Sequence, residues 1–165
     1  MILGDPYKFA IIIKIIKEWN ISEAFGNGVL LFCVDGSIFP KEIFTASLNS
    51  EINPLKEKLK NIAANNEIFK MEKEAAFKKI YNITFPEDVD LDNDYQFDIT
   101  PLSFPEDNSY IFAVSDGARI RILASKLKYI REESRHKLKN INVYEAFISM
   151  EEMKEIVKEL NVDQL

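Results

Sequence analysis

The chain has 165 residues, of which 47% are hydrophobic and 12% aromatic, and its formal net charge is −6 at pH 7. This length and composition predict a single folded domain over residues 1–165 and exclude a disordered polymer, while one cysteine excludes an internal disulfide. The chain shows no basic leader with a small-residue cleavage site, so we expect a protein of the reducing cytoplasm without a membrane segment.

The first third of the chain carries the pattern of antiparallel strands. Residues 7–16 are rich in β-branched side chains that fall on alternate faces, which predicts a strand. An Asp-Gly pair at 35–36 separates two apolar runs within residues 29–39, a pattern typical of a two-residue hairpin. We expect a further strand over residues 43–48 to continue the same sheet.

Helical spacing begins in the middle of the chain. Apolar residues recur at helical intervals from Leu55 to Ile62, directly after Pro54, which predicts a helix with this proline in its first turn. Charged residues separate the apolar ones over residues 68–81, which predicts a second helix. An acidic loop follows over residues 86–98.

A second Asp-Gly pair, at 116–117, lies between two apolar runs within residues 110–123 and predicts another two-residue hairpin. Arg119 and Arg121 alternate with isoleucines in its second strand. We therefore expect one face of this hairpin to be charged and solvated.

The last part of the chain predicts a strand and a helix. Residues 141–148 are apolar and β-branched, and Ser149 and Glu152 have the spacing of a capping box at the start of an amphipathic helix. The whole order predicts an α+β fold: a mainly antiparallel sheet with two Asp-Gly hairpins, two central helices and a C-terminal amphipathic helix.

Charge is distributed unevenly along the chain. No lysine or arginine lies between Lys79 and Arg119, and most acidic residues of that stretch crowd into the acidic loop, beside aromatic and aliphatic residues. Interface hot spots use such mixtures, and clustered charge steers a charged partner toward its binding site. The candidate partner-binding residues are Glu87, Asp88, Asp90, Asp92, Asp94, Tyr95, Phe97 and Asp98.

The acidic loop does not match a calcium loop. An EF-hand beginning at Asp88 would have Asn93 at the position of the turn glycine and Ile99 at the position of the closing glutamate. We expect no dedicated metal site, although a small cytoplasmic enzyme that uses residues 87–98, with a divalent metal, remains an alternative. A plain solvated loop that keeps the protein soluble is the other alternative.

No other pattern points to catalysis. Cys33 lies inside an apolar strand, where a free cysteine usually behaves as a buried hydrophobe, so we do not expect it to form a nucleophilic pair with His136. The chain also lacks phosphate-binding, dinucleotide-binding and hydrolase motifs. We therefore predict no catalytic, cofactor-binding or metal-binding residue.

A basic run over residues 126–139 admits two interpretations. It could bind RNA through phosphate contacts, or it could form a solvated face and pair with the acidic stretch inside the fold. The second interpretation is favoured, because the sequence pI is near 5.0. We expect neither a direct nucleic-acid partner nor a membrane partner.

A resemblance to a known family is carried by four segments: GDPYKFAIIIKIIKEWN at residues 4–20, NGVLLFCVDGSIFPKEIFTASLN at 27–49, FDITPLSF at 97–104 and FAVSDG at 112–117. Together with the spacing between them, these segments make essentially the whole chain similar to the immunity protein 42 family of bacterial polymorphic-toxin systems, which include contact-dependent growth inhibition.

The resemblance implies a cytoplasmic antitoxin that binds and neutralises a cognate toxin domain encoded by a neighbouring gene, without catalytic residues or cofactors. A basic toxin, such as a nuclease, would suit the acidic loop, because opposite charges speed and orient the encounter. The resemblance does not indicate which surface binds the toxin.

Overall fold

The computed structural model describes residues 1–21 and 26–161, and within these residues ten strands and four helices form an α+β fold. The strands make three sheets, in which neighbouring strands run antiparallel. The predicted fold class is confirmed. In the described part of the chain, no helix is both long and apolar enough to cross a membrane.

The first sheet contains the N-terminal strands β1 (Ile2–Gly4), β2 (Phe9–Ile15), β3 (Asn27–Val34), β4 (Ser37–Phe39) and β5 (Ala46–Ser47). Their order is β1-β2-β3-β4, and β5 pairs with β3. The first hairpin is confirmed, since Asp35 and Gly36 alone separate β3 from β4, and their φ angles of 50° and 71° are those of a type I′ turn. The strand predicted over residues 43–48 is present only in part: β5 continues the same sheet by pairing antiparallel with β3, but it has only two residues, and a helix already begins at Leu48.

The second sheet contains β6 (Ser109–Ser115), β7 (Arg119–Lys126) and β10 (Tyr144–Ser149), and the third contains β8 (Lys128–Ile130) and β9 (Arg135–Lys137). The order in the second sheet is β10-β7-β6. The hairpin and the last strand predicted from the sequence are therefore present. Three residues, 116–118, separate β6 from β7, rather than the two that the Asp-Gly pair predicted.

The helices are α1 (Leu48–Lys60), α2 (Asn66–Lys70), α3 (Lys73–Thr84) and α4 (Met150–Glu159). Because buried apolar residues recur at helical spacing from Leu48 onward, α1 begins before Pro54, which lies inside the helix and not in its first turn. The helix predicted over residues 68–81 is interrupted between α2 and α3. Glu72 starts α3 as its N-cap, since its carboxylate accepts two backbone N–H groups of the first turn.

Two hydrophobic clusters lie on opposite faces of the second sheet. Ile111 and Ala113 of β6 belong to the cluster shared with the first sheet, α1 and α4, whereas Phe112 and Val114 belong to the cluster shared with α2 and α3. Because both faces are covered, every residue of β6 is buried. The second cluster holds α3, and therefore the start of the acidic loop, against this sheet.

The charged, solvated face predicted for the β6–β7 hairpin is wrong at Arg121, because α2 and α3 cover that face. Arg121 is only 3% exposed. Its guanidinium pairs with the Glu145 carboxylate at 2.8 Å and donates hydrogen bonds to the carbonyl oxygens of Phe69 (3.0 Å) and Met71 (2.6 Å) at the end of α2. A buried guanidinium is stable there because a carboxylate and helix-terminal carbonyls satisfy it.

Candidate functional site

The acidic loop is shorter than predicted, because residues 97 and 98 are buried, and the name is used below for residues 86–96, which connect α3 to the edge of the second sheet. Its backbone is held at both ends: the N–H of Asp94 donates to the carbonyl of Ile83 (3.2 Å), and the carbonyl of Phe97 accepts from the N–H of Ala113 (2.9 Å). The loop therefore begins and ends on buried structure. Its middle projects into solvent.

Inside the loop, aspartate side chains fold the backbone locally. Asp88 accepts a hydrogen bond from the N–H of Asp90 (3.0 Å), and Asp94 accepts one from the N–H of Gln96 (3.1 Å). Such contacts are Asx turns, which aspartate forms readily because its short side chain reaches the backbone two residues ahead. Asp88 and Asp94 thus contribute both to the conformation of the loop and to its negative charge.

Six of the eight predicted partner-binding residues lie together on the surface of this loop. The carboxylates of Glu87, Asp88, Asp90 and Asp92 are exposed, Asp94 is half-buried and Tyr95 is exposed. Two apolar side chains between them are also open to solvent, Val89 at 96% and Leu91 at 60% exposure. The loop therefore offers charge and apolar surface side by side.

Phe97 and Asp98, the other two predicted residues, lie inside the fold. Phe97 is buried in the second hydrophobic cluster. Asp98 is also buried, and it accepts hydrogen bonds from the Lys58 ammonium (2.9 Å) and from the N–H of Thr100 (3.0 Å). Neither side chain is exposed beside the other six, because the chain turns inward directly after Gln96.

Ion pairing divides the acidic stretch into two groups. Asp98, Asp107 and Asp116 pair with Lys58, Lys126 and Arg119, and Glu87 pairs with Arg135. Within the described residues, no ion pair includes any of the remaining loop aspartates, Asp88, Asp90, Asp92 and Asp94. The charge of the loop is therefore not neutralised within this part of the chain.

Two residues of the basic run form ion pairs with acidic residues of the cation-free stretch, as the favoured interpretation predicted. Lys126 donates a hydrogen bond to Asp107, and Arg135 contacts Glu87 at 3.0 Å. Burial alone would raise the pKa of the Asp107 carboxyl, but hydrogen bonds from Lys126, Ser109 and the backbone of Lys41 hold that pKa below its ordinary value. Asp107 is therefore ionised and structural.

An aromatic cluster supports the loop from below. The ring of Tyr95 lies 6.0 Å from that of Phe85, which contacts Tyr81 (5.1 Å) and Tyr110 (5.5 Å), measured between centroids. The contacts of Phe85 with Tyr95 and Tyr110 are edge-to-face and its contact with Tyr81 is tilted, and contacts of this kind favour a fixed ring orientation. Sequence reasoning missed this support, although Tyr81 and Phe85, four residues apart at the end of α3, form a helical-face pair that could have indicated it.

His136, on β9, completes the cluster. Its Nδ1 lies 2.7 Å from the Tyr81 hydroxyl and its Nε2 lies 2.8 Å from Oδ1 of Asn108. Burial lowers the pKa of His136 and raises that of the Tyr81 hydroxyl. At neutral pH the imidazole is therefore uncharged, with Nε2–H donating to Asn108 and Nδ1 accepting from Tyr81.

A hollow of about 430 Å³ opens between α3 and the β8–β9 hairpin, beside the acidic loop. Its walls include Tyr81, Phe85 and Tyr129, and Arg135 lines it together with two carboxylates that it contacts, Glu87 (3.0 Å) and Glu133 (2.5 Å). The acidic loop and the β8–β9 hairpin thus form one continuous surface. This hollow could not be predicted from the sequence, because its walls come from two stretches of the chain, residues 81–87 and 129–138, that are distant in sequence.

The remaining chemically reactive candidate is buried. Cys33 is 4% exposed in β3, as predicted, and burial raises the pKa of its thiol, which is the opposite of an activated thiolate. It lies in the first sheet, whereas His136 lies in the third. Within residues 1–21 and 26–161, no three His, Cys, Asp or Glu side chains are grouped as metal ligands.

Comparisons with known proteins give two matches. The family model described as Immunity protein 42 matches residues 1–162. A solved structure, the crystal structure of CdiI from Burkholderia dolosa AUO158, shares the fold with a TM-score of 0.78 and 21% sequence identity, covering 96% of this chain and 97% of that chain. Comparison with curated proteins gives no match.

Proposed function

Because the chain belongs to the immunity protein 42 family, and so has the immunity function of an antitoxin, we propose that its toxin is a basic, nuclease-type domain that it binds through the acidic loop. Immunity proteins bind a cognate toxin. We propose in addition that a neighbouring gene encodes this toxin and that the encounter takes place in the cytoplasm.

The observation that carries the proposal is the uncompensated charge of the loop. Asp88, Asp90, Asp92 and Asp94 have no ion pair within the described residues, and in the sequence they lie on both sides of Leu91, whose side chain is exposed. Nuclease domains need positive charge to hold phosphates, so an acidic surface would meet a complementary one. Clustered carboxylates also accelerate the encounter of oppositely charged proteins.

We propose that inhibition occurs by binding alone, within a single domain. Two observations support the absence of a nucleophilic pair. Burial raises the pKa of the Cys33 thiol, and both ring nitrogens of His136 form hydrogen bonds, with Tyr81 and with Asn108. One hydrophobic cluster contains residues of both large sheets, α1 and α4, which favours one cooperative unit.

The test replaces two loop charges and measures the rate of toxin association. Asp90→Lys with Asp92→Lys should slow association with the purified toxin domain by about tenfold or more at low salt, because steering is lost. The effect should shrink at high salt, where screening already removes the steering. The matched control is Glu155→Lys with Glu159→Lys, which makes the same change in net charge at exposed positions of α4.

Unchanged association of the loop variant at every ionic strength would remove the acidic loop as the binding surface. Equal slowing by the loop variant and the α4 variant would show that only net charge matters. In cells that express the toxin, the loop variant should protect growth less well than the α4 variant.

A further inference from the structure

We propose that the hollow between α3 and the β8–β9 hairpin receives one long cationic side chain of the toxin, an arginine or a lysine, which replaces the protein's own Arg135 between two carboxylates. This inference rests on the proposed function, since it names how the same surface would anchor its partner. Apart from Pro86 and Glu87, the residues that line the hollow lie outside the acidic loop.

The walls of the hollow suit a cation. Tyr81, Phe85, Tyr129 and His136 line it with aromatic rings, and cations bind favourably over the faces of such rings. The rings hold one another in place. The centroid of the His136 ring lies 5.1 Å from that of Tyr129 and 6.0 Å from that of Tyr81. The hollow is therefore built before any partner arrives, which reduces the entropic cost of binding.

A guanidinium already occupies the position where a partner cation would bind. Arg135 bridges Glu87 and Glu133, at 3.0 Å and 2.5 Å, and all three residues line the hollow. The Arg135 side chain is 55% exposed and the two glutamates 71% and 46%. Exposed ion pairs of this kind contribute little net stability, so Arg135 can swing into solvent and yield both carboxylates at low cost.

Charge distinguishes this hollow from its neighbour. A second hollow of about 450 Å³ shares Glu87, Glu133, Arg135, His136 and Leu138, but adds three lysines, Lys78, Lys137 and Lys139. The second hollow would therefore repel a cation. The first has two carboxylates against one guanidinium, because its histidine is uncharged at neutral pH.

The position of the hollow indicates that the cation comes from the toxin. Glu87 belongs both to the hollow and to the acidic loop, so a partner complementary to the loop brings basic side chains to the mouth of the hollow. Two partly exposed tyrosines, Tyr95 (54%) and Tyr129 (45%), lie on this surface. Interface hot spots combine such aromatic residues with a buried arginine.

The decisive variant is Arg135→Gln, which removes the internal competitor and keeps both carboxylates. It should slow dissociation of the purified toxin domain by about three- to tenfold, as expected when two exposed pairs no longer compete. The double variant Glu87→Gln with Glu133→Gln should speed dissociation. The matched control is Arg119→Gln, which makes the same charge change at a 60% exposed arginine that pairs with Asp116 in the β6–β7 turn.

Unchanged or faster dissociation of the Arg135→Gln complex, with normal binding by the unmodified protein, would overturn this inference and leave the proposed function standing. Failure of the unmodified protein to bind the toxin would overturn both. Equal slowing by Arg135→Gln and Arg119→Gln would also overturn the inference, because net charge alone would then explain the result.

A second measurement needs no toxin. Titration with n-propylguanidinium, followed through the NMR signals of the His136 ring, should saturate at a concentration about three- to tenfold lower for Arg135→Gln than for the unmodified protein. Arg119→Gln should match the unmodified protein. Absence of any shift of the His136 signals in the Arg135→Gln protein would overturn the inference, whether or not that variant alters toxin binding.

Discussion

Arg121 shows how much a single residue can contribute to this fold. Its guanidinium joins three elements, because it lies on β7, pairs with Glu145 on β10 and donates hydrogen bonds to the carbonyls that end α2. These hydrogen bonds satisfy the carbonyl of Phe69, in the last turn of the five-residue α2, and that of its C-cap residue, Met71. The aromatic support of the acidic loop is packed on the same face of this sheet.

We therefore expect Arg121→Met to lower the free energy of unfolding by at least about 2 kcal/mol, because it leaves a carboxylate and helix-end carbonyls without their partner. Urea unfolding measures this change. Arg119→Met, two residues earlier and exposed, should alter stability by only about 0.5 kcal/mol. Similar values for the two variants would show that the buried arginine has no special role.

We expect the free energy of unfolding to depend on pH through His136, because it is the single histidine of the chain and burial lowers its pKa. The unfolded chain binds the proton at a higher pH than the folded one does. The free energy of unfolding should therefore fall as the pH drops below about 6.5, the ordinary histidine value, and the loss should end at the lower pKa of the folded state.

Urea unfolding at several values between pH 7 and about pH 5.5 measures this slope, which cannot exceed about 1.4 kcal/mol per pH unit for one proton. The His136→Gln variant should show a nearly flat profile over the same range. A slope that survives in this variant would assign the pH dependence to other groups.

The residues also show what the sequence could and could not predict. Asp35, Gly36 and Cys33 were predicted correctly, because a two-residue turn and an apolar strand are decided by neighbours in the chain. The burial of Arg121 and of Phe97 was not predicted. Alternation along a strand tells which residues share a face, but what covers that face depends on elements distant in sequence.

At the scale of elements, the acidic loop is held by rigid structure on both sides. The end of α3 carries Tyr81 and Phe85 beneath it, and β9 approaches it through Arg135 and His136. Binding loops on rigid supports lose little conformational entropy when a partner binds. This arrangement explains how a short polar segment can present a defined surface.

The capping box of α4 was predicted from the sequence and is present. The Ser149 hydroxyl accepts the N–H of Glu152 (3.1 Å), whose carboxylate accepts the N–H of Ser149 (2.6 Å). We expect Ser149→Ala to destabilise the protein by about 1 kcal/mol, since α4 covers the first hydrophobic cluster and loses an N-cap.

The matched control is Ser47→Ala, because Ser47 is the N-cap residue of α1 but makes no side-chain capping hydrogen bond. Thermal or urea unfolding compares the two variants. A loss at Ser47 equal to that at Ser149 would show that the capping hydrogen bonds are not the source of the effect.

The sequence predicted a helix boundary correctly where neighbouring residues determine it, and wrongly where packing against distant parts of the chain determines it. The start of α4 follows from two residues, Ser149 and Glu152, whereas the start of α1 depends on burial of Leu48, which the β-like composition of residues 43–48 concealed. The break between α2 and α3 depends on capping by Glu72, a residue that also suits a helix interior.

On the scale of the whole molecule, charge and fold have separate roles. Three acids of the cation-free stretch, Asp98, Asp107 and Asp116, are bound by cations from other parts of the chain and belong to the structure. The loop aspartates lie outside this network, on a surface that the second hydrophobic cluster holds in place. The family gives the immunity function, and this surface is where we propose that it is exerted.

Hydrogen–deuterium exchange of the protein, free and bound to its toxin domain, tests this proposal most directly. Amide hydrogens of the acidic loop should exchange rapidly in the free protein, because its middle is exposed, and should be protected in the complex. Amides of α4 should exchange equally in both states. Unchanged exchange in residues 86–96, together with protection of another surface, would contradict the account.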